Sequence, residues 1–159
     1  MITFYNSRFV KFQYYESEEI LQQTWNYTHH RNHLHFYQSI HQFLYIIDEY
    51  KTKKALIDFS NFTFCLDAQS QKWIEKNLFV KLAKKNVSKI ALVKSKDHDT
   101  QDSLQTLFSV GMEQQPIITL FFDTPCEAKQ WLTTKPVQGT SAPGTKFLLY
   151  YILAIACLY

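Results

Sequence analysis

A chain of 159 residues has the length of one domain, since domains cluster at about 100–150 residues, and one of that size buries roughly 68–70% of its unfolded surface without needing disulfides or metals. Hydrophobic residues make up 46% of it and aromatic residues 16%, while glycine occurs only three times, which excludes a disordered or collagen-like chain. The formal net charge of +3 is mild and no basic stripe carries interleaved exposed aromatics, so no nucleic-acid partner is expected.

Val10 to Tyr15 is rich in aromatic and β-branched residues and reads as a strand. The charged run Glu16-Ser17-Glu18-Glu19 reads as a turn, and residues 20–27 as the second strand of an antiparallel hairpin. After a His-rich stretch, Phe36, Ile40, Phe43, Ile47 and Tyr50 recur at spacings of four and three. That stripe predicts a helix over about 33–50 packed on a sheet, with Lys51, Lys53 and Lys54 at its C-terminal end, where cations suit the dipole.

Ala55-Leu56-Ile57-Asp58-Phe59 reads as a buried strand. Asp67 is placed to cap a helix over about 67–85, with Trp73, Ile74, Leu78 and Leu82 turned inward. Ile90-Ala91-Leu92-Val93 is a further buried strand, residues 99–110 a further helix with Gly111 close to its end, and residues 117–122 the next strand. Thr124-Pro125-Cys126-Glu127 is a capping box, with threonine at the cap, proline at the first helical position and glutamate three residues after the cap. The expected order is β-β-α-β-α-β-α-β-α: an α/β domain over 1–133 with a mixed sheet of about five strands and about four packed helices.

Residues 134–146 contain Pro136, Gly139, Pro143 and Gly144 and read as a linker. Residues 147–159 are almost wholly apolar but fall short of the ~20 residues of a membrane span, so no transmembrane span is expected. Three readings of this run stay open: an added packing segment or unstructured appendage, a sequence not native to the domain, and a weak membrane-surface contact. The N-terminus has no basic region followed by an apolar one, so no signal peptide is expected. Cys65, Cys126 and Cys157 are far apart and odd in number, as reduced thiols in a cytoplasmic protein would be.

Few constellations suggest chemistry. His29 and His33 have the four-residue spacing of zinc ligands on a helix, but with no nearby Cys or carboxylate they read as capping or surface groups at the start of the first long helix, and no metal is expected. Lys81, Lys84, Lys85 and Lys89 read as a phosphate contact or as a solvated helix end. Cys65 lies in an apolar run and reads as a buried, inert thiol. No phosphate-cradling glycine loop and no G-x-S-x-G elbow is present. Ligands of open α/β sheets sit beyond the carboxyl ends of the strands. Here those ends supply Asp58, Ser60 and Asn61, then Lys94, Ser95 and Lys96, then Asp123; the same residue types also serve as ordinary turn and cap residues.

The hairpin, the long helix, Ala55-Leu56-Ile57-Asp58-Phe59-Ser60-Asn61, the segment Asp67-Ala68-Gln69-Ser70-Gln71-Lys72-Trp73-Ile74 and the closing Phe122-Asp123-Thr124-Pro125-Cys126-Glu127 together resemble the STAS-like group. That group includes the anti-sigma-factor antagonists and small, stand-alone, uncharacterised bacterial proteins. The likeness covers about residues 2–133. It implies a non-enzymatic regulatory or protein-binding module without a cofactor that presents the loop from Ser60 to Ser70 and the start of its helix; together with the strand ends this gives a partner or ligand surface at Asp58, Ser60, Asn61, Asp67, Ser70, Lys94 and Ser95. In the family's switch members, a serine directly after an aspartate is phosphorylated by a partner kinase. Here Asp67 matches the aspartate, Ala68 stands in the serine's place, the following glycine is missing, and Ser70 lies one turn on. The resemblance therefore implies partner binding without the phosphoserine switch. The alternative is a small-ligand or lipid-binding module, motivated by the aromatic content and by a fold-level likeness of STAS-like to CRAL-TRIO lipid-transfer domains.

Overall fold

A computed structural model of the chain describes residues 1–26, 33–63, 66–113 and 115–134. Six strands form one sheet: β1 (Ile2–Asn6), β2 (Val10–Tyr15), β3 (Ile20–Trp25), β4 (Lys54–Asp58), β5 (Lys89–Val93) and β6 (Ile118–Phe122). They lie side by side in chain order. β1, β2 and β3 pair antiparallel, whereas β3 through β6 run parallel.

The parallel strands are joined by α1 (His33–Tyr50), by a helical unit of α2 (Ala68–Ile74), a π turn (Glu75–Phe79) and α3 (Val80–Lys84), and by α4 (His98–Met112). Each crossover advances to the neighbouring strand in the same direction. Because such crossovers share one hand, all three helical units fall on one face of the sheet. Leu21, Trp25, Ala55, Ile57, Ile90 and Leu92 meet Phe43, Ile47, Ile74, Leu82, Leu104 and Phe108 there. The last helix, α5 (Pro125–Thr133), crosses to the other face. Its Ala128, Trp131 and Leu132 pack on Ile20, Leu56, Ala91 and Val93. The period-2 alternation of each strand thus divides it between two cores.

The α/β class and the element order from β2 onward agree with the sequence reading, and the expected capping box is present: Thr124 Oγ1 accepts from the Glu127 N–H, and the Glu127 carboxylate accepts from the Thr124 N–H. Two expectations are corrected. The sheet has six strands, not five, because Ile2–Asn6 adds an edge strand. Ser7 closes that hairpin: its N–H donates to the Val10 carbonyl at 3.0 Å, and its hydroxyl accepts from the N–H groups of Phe9 and Val10 and donates to the same carbonyl, a serine turn that reinforces the backbone bond. The helix expected over 99–110 runs from His98 to Met112, so Gly111 lies inside it. A Cβ at Gly111 would run into the Phe79 ring, so this glycine is a point of close approach, not a terminator.

The π turn also has a cause. Ser70, Ile74, Leu78 and Leu82 are all buried, and their strict four-residue spacing drifts about 40° per step on a 3.6-residue helix. The Val80 N–H reaches back to the Glu75 carbonyl; this wider turn takes up the drift and lets Phe79 point inward as well.

Residues 135–159, which include most of the expected linker and the apolar run, lie outside the described residues, as do His29, His30, Cys65 and Cys157. No helix among the described residues is long and apolar enough to cross a membrane.

Candidate functional site

The parallel arrangement of β4 and β5 sets their carboxyl ends beside each other, in register at Asp58 and Val93. The chain leaves β4 in a tight turn. The buried Asp58 carboxylate accepts from the Ser60 N–H at 2.9 Å, and the Phe62 N–H donates to the Phe59 carbonyl at 2.8 Å. Phe62 then plunges into the core, fully buried, against Trp25, Phe36 and Phe59 at ring distances of 5.1, 6.0 and 5.3 Å. Asn61 is left exposed at the tip.

Ser95 ties this turn to the next one. Its hydroxyl donates to the Phe62 carbonyl at 2.6 Å and accepts from the Asp97 N–H, and its N–H donates to the Gln101 side chain. Asp97 in turn caps α4 by accepting from the Thr100 N–H at 2.9 Å. One serine therefore couples the β4–α2 turn to the start of α4.

Asp67 caps α2, accepting from the Ser70 N–H at 2.7 Å. Ser70 itself is fully buried, with its hydroxyl 3.2 Å from the Tyr37 hydroxyl of α1. Tyr37 packs on Trp73 at 4.3 Å, and exposed His41 meets the Trp73 ring edge-on. Lys94 and Asp123, from the ends of β5 and β6, form an exposed ion pair of 2.7 Å. Exposed pairs of this kind contribute little stability.

All seven residues expected at the site thus lie at one edge of the sheet, but in two layers. Asn61, Asp67 and Lys94 are exposed, and Ser60 and Ser95 half-buried. Asp58 and Ser70 are buried, so they hold the turn and the helix start from behind and present nothing to a partner. Ala68 is exposed beside Asp67. Phe64 and Cys65 lie outside the described residues. The sequence reading missed Asp97, Gln101 and Phe62. Asp97, three residues before Thr100, carried the signature of an N-cap; the cross-loop bonds of Ser95 and Gln101 had no local signal.

The helix-covered core contains an apolar cavity lined by Gln23, Phe36, Ile40, Ile57, Leu66 and Leu104, among others, with a volume of about 20 Å³. That exceeds the ~10–15 Å³ a water needs and is far below the ~300–1,000 Å³ of small-molecule sites. Gln23 is buried and its amide nitrogen has no hydrogen-bond partner. Among the described residues, no group of three or more His, Cys, Asp or Glu is placed to hold a metal ion. His35, the member of the His-rich stretch whose side chain is described, stacks on Phe9. Cys126 is free and exposed.

The chain matches no protein-family model, no curated protein and no solved structure.

Proposed function

We propose that the chain is a non-enzymatic, STAS-like protein-binding module of the cytoplasm that presents the turn around Asn61 and the start of α2 to a protein partner. The observation that carries this reading is the two-layer edge: Asn61, Asp67 and Ala68 are exposed, while Ser95, Phe62 and Ser70 fix the backbone beneath them. A surface held in one conformation before contact loses less entropy on binding. Ala68 in the serine's place leaves no phosphorylatable hydroxyl there, so binding is constitutive in this respect.

The aromatic content, which motivated the lipid alternative, is largely accounted for by core packing. Trp25, Phe36, Phe62, Phe59, Phe108, Phe79 and Phe121 form a continuous chain of ring contacts, and the cavity they help to line is too small for a lipid. Both facts favour the surface over the interior.

A pull-down comparing wild type with Asn61→Ala and Asp67→Asn tests the reading. Asparagine keeps the cap of α2 while removing the charge, so loss of the partner in Asp67→Asn reports on contact rather than on folding. Recovery of the same partners at the same level by both variants would sink the proposal.

A further inference from the structure

The two edges of the sheet are finished differently. β1 breaks its register with β2 between Thr3 and Tyr5, and its Phe4 ring packs on Tyr50 at 4.7 Å. A break of this kind twists an edge away from further pairing. β6 has no such guard. Its register with β5 runs unbroken from Ile118 to Phe122. Ile118-Thr119-Leu120-Phe121-Phe122 is rich in β-branched and aromatic residues and carries no charge and no proline. Pro116 lies before the strand, and Asp123, just after it, is held by Lys94 at 2.7 Å.

The main chain of β6 is used on one side. The Ile118 N–H donates to the Ser88 carbonyl at 2.9 Å, and the Phe122 carbonyl accepts from the Lys94 N–H at 3.0 Å. Residues 118, 120 and 122 therefore turn their polar groups to β5, and the alternate residues Thr119 and Phe121 turn theirs outward. Among the described residues, no backbone bond reaches that outer side.

The side chains of β6 are also only partly covered. Phe121 meets Phe108 of α4 edge-on at 6.2 Å. On the opposite face, α5 packs its Ala128, Trp131 and Leu132 on Ile20, Leu56, Ala91 and Val93, from β3 to β5. Ile118 is left 38% exposed, and Leu120 and Phe122 are half-buried. An apolar strip thus lies beside open main-chain groups.

We propose that β6 pairs antiparallel with β6 of a second copy, about a two-fold axis at Leu120, so that one sheet runs through a homodimer. The open groups are spaced for it. Thr119 and Phe121 lie symmetrically about Leu120, so the N–H and carbonyl of each meet those of the other residue in the second copy. The side chains match as well. On the α5 face Leu120 meets Leu120, with Ile118 opposite Phe122; on the other face Thr119 meets Phe121. Apolar and aromatic pairs directly opposite each other are favourable.

Charge selects the occupant. A second copy brings every charge of this edge to the facing position, so an ionised side chain near the axis would oppose its own kind, and β6 has none. Asp123, the closest, falls opposite Ile117 of the second copy and stays with Lys94. A strand of charged side chains would instead be desolvated against the apolar strip without a partner. The two-fold contact closes at two chains and leaves this edge no further strand to recruit. The two Asn61 turns then lie at opposite ends of the joined sheet.

Sedimentation equilibrium together with amide exchange tests the proposal. Wild type is expected to reach the mass of two chains in concentrated solution and to dissociate on dilution. The Thr119 and Phe121 amides are expected to be protected in the concentrated sample and to lose that protection on dilution, while the Leu120 amide, bonded to β5, exchanges alike in both. Thr119→Pro removes an N–H that bonds nothing within one chain, at an edge position where proline is tolerated; it is expected to sediment as a single chain and still melt cooperatively. Leu120→Lys and Leu120→Glu each set like charges across the axis and are expected to sediment as single chains, and their equal mixture as two. Asn61→Ala is expected to keep the wild-type mass, which separates this contact from the partner surface. A wild type of single-chain mass at every concentration would overturn the proposal. So would Thr119 and Phe121 amides that exchange alike in dilute and concentrated protein, a measurement that needs no variant to fold, or a dimer retained by folded Thr119→Pro and Leu120→Lys.

Discussion

At the scale of single residues, two positions oppose their usual rules. Glycine inside a helix costs about 1 kcal/mol relative to alanine, yet Gly111 sits in the last turn of α4 against the Phe79 ring. Phe79 is 1% exposed and packs on Phe108 at 5.2 Å, so it has little room to retreat. Gly111→Ala is therefore expected to destabilise the domain by about 1–3 kcal/mol, the usual cost of overpacking, in chemical denaturation. A gain of about 1 kcal/mol, as helix propensity alone predicts, would show that Phe79 moves freely. Gln23 is the second case: a buried amide nitrogen without a partner beside an apolar cavity. Leaving such a group unbonded costs about 1–3 kcal/mol, and methionine has nearly the same length. Gln23→Met is expected to raise stability by about 1 kcal/mol. A clear loss would mean that the amide is satisfied, with a water in the cavity as its partner.

At the scale of elements, two ion pairs join pieces distant in sequence. Asp48 links the end of α1 to Lys85 after α3, and Glu18 links the β2–β3 turn to Lys129 on α5. The Asp48 pKa is lowered by its hydrogen bonds from Lys85 and then Lys51; that of Glu18 is lowered first by the Ser17 hydroxyl and then by Lys129. A carboxylate whose pKa is depressed on folding stabilises the native state above its unfolded pKa, and the contribution fades as pH falls through the folded value. The melting temperature should therefore decline below the ordinary carboxylate range. In Lys85→Met/Lys129→Met, the decline should be shallower and the neutral-pH value less sensitive to salt. An unchanged acid profile in that variant would remove these pairs from the account.

The same scale shows what could be read from the residues. Elements with their own periodicity or cap were legible: the stripe of α1, the apolar runs of β4 and β5, and the box at Thr124 each decide their own conformation locally. What escaped depended on contacts across the fold. β1 is short, and its turn combines a backbone bond with bonds from the Ser7 side chain. Gly111 looked like a helix stop because Phe79 is distant in sequence. The π turn left a trace in the four-residue spacing from Ser70 to Leu82, but a helix pattern alone does not distinguish drift from a wide turn. The candidate edge was legible as a set of residues, since polar groups follow each strand; its division into an exposed layer and a buried support was not, because burial of Asp58 and Ser70 is decided by α1 and the neighbouring loops.

At the scale of the whole molecule, winding the parallel strands in one direction places three helical units on one face and leaves the strand ends to do different work. The carboxyl edge carries fixed turns and an exposed helix start; the amino edge carries lysines, one of which, Lys89, donates to the Thr134 carbonyl at the end of α5. The central claim is that the carboxyl edge meets a protein partner. A photo-crosslinking amino acid placed at Ala68 tests it most directly, with one at Val110, exposed on α4, as the control. The account predicts a discrete crosslinked adduct from position 68 in cells, lost when Asn61→Ala is added, and none from position 110. Adducts of equal yield from both positions, or from position 110 alone, would contradict it.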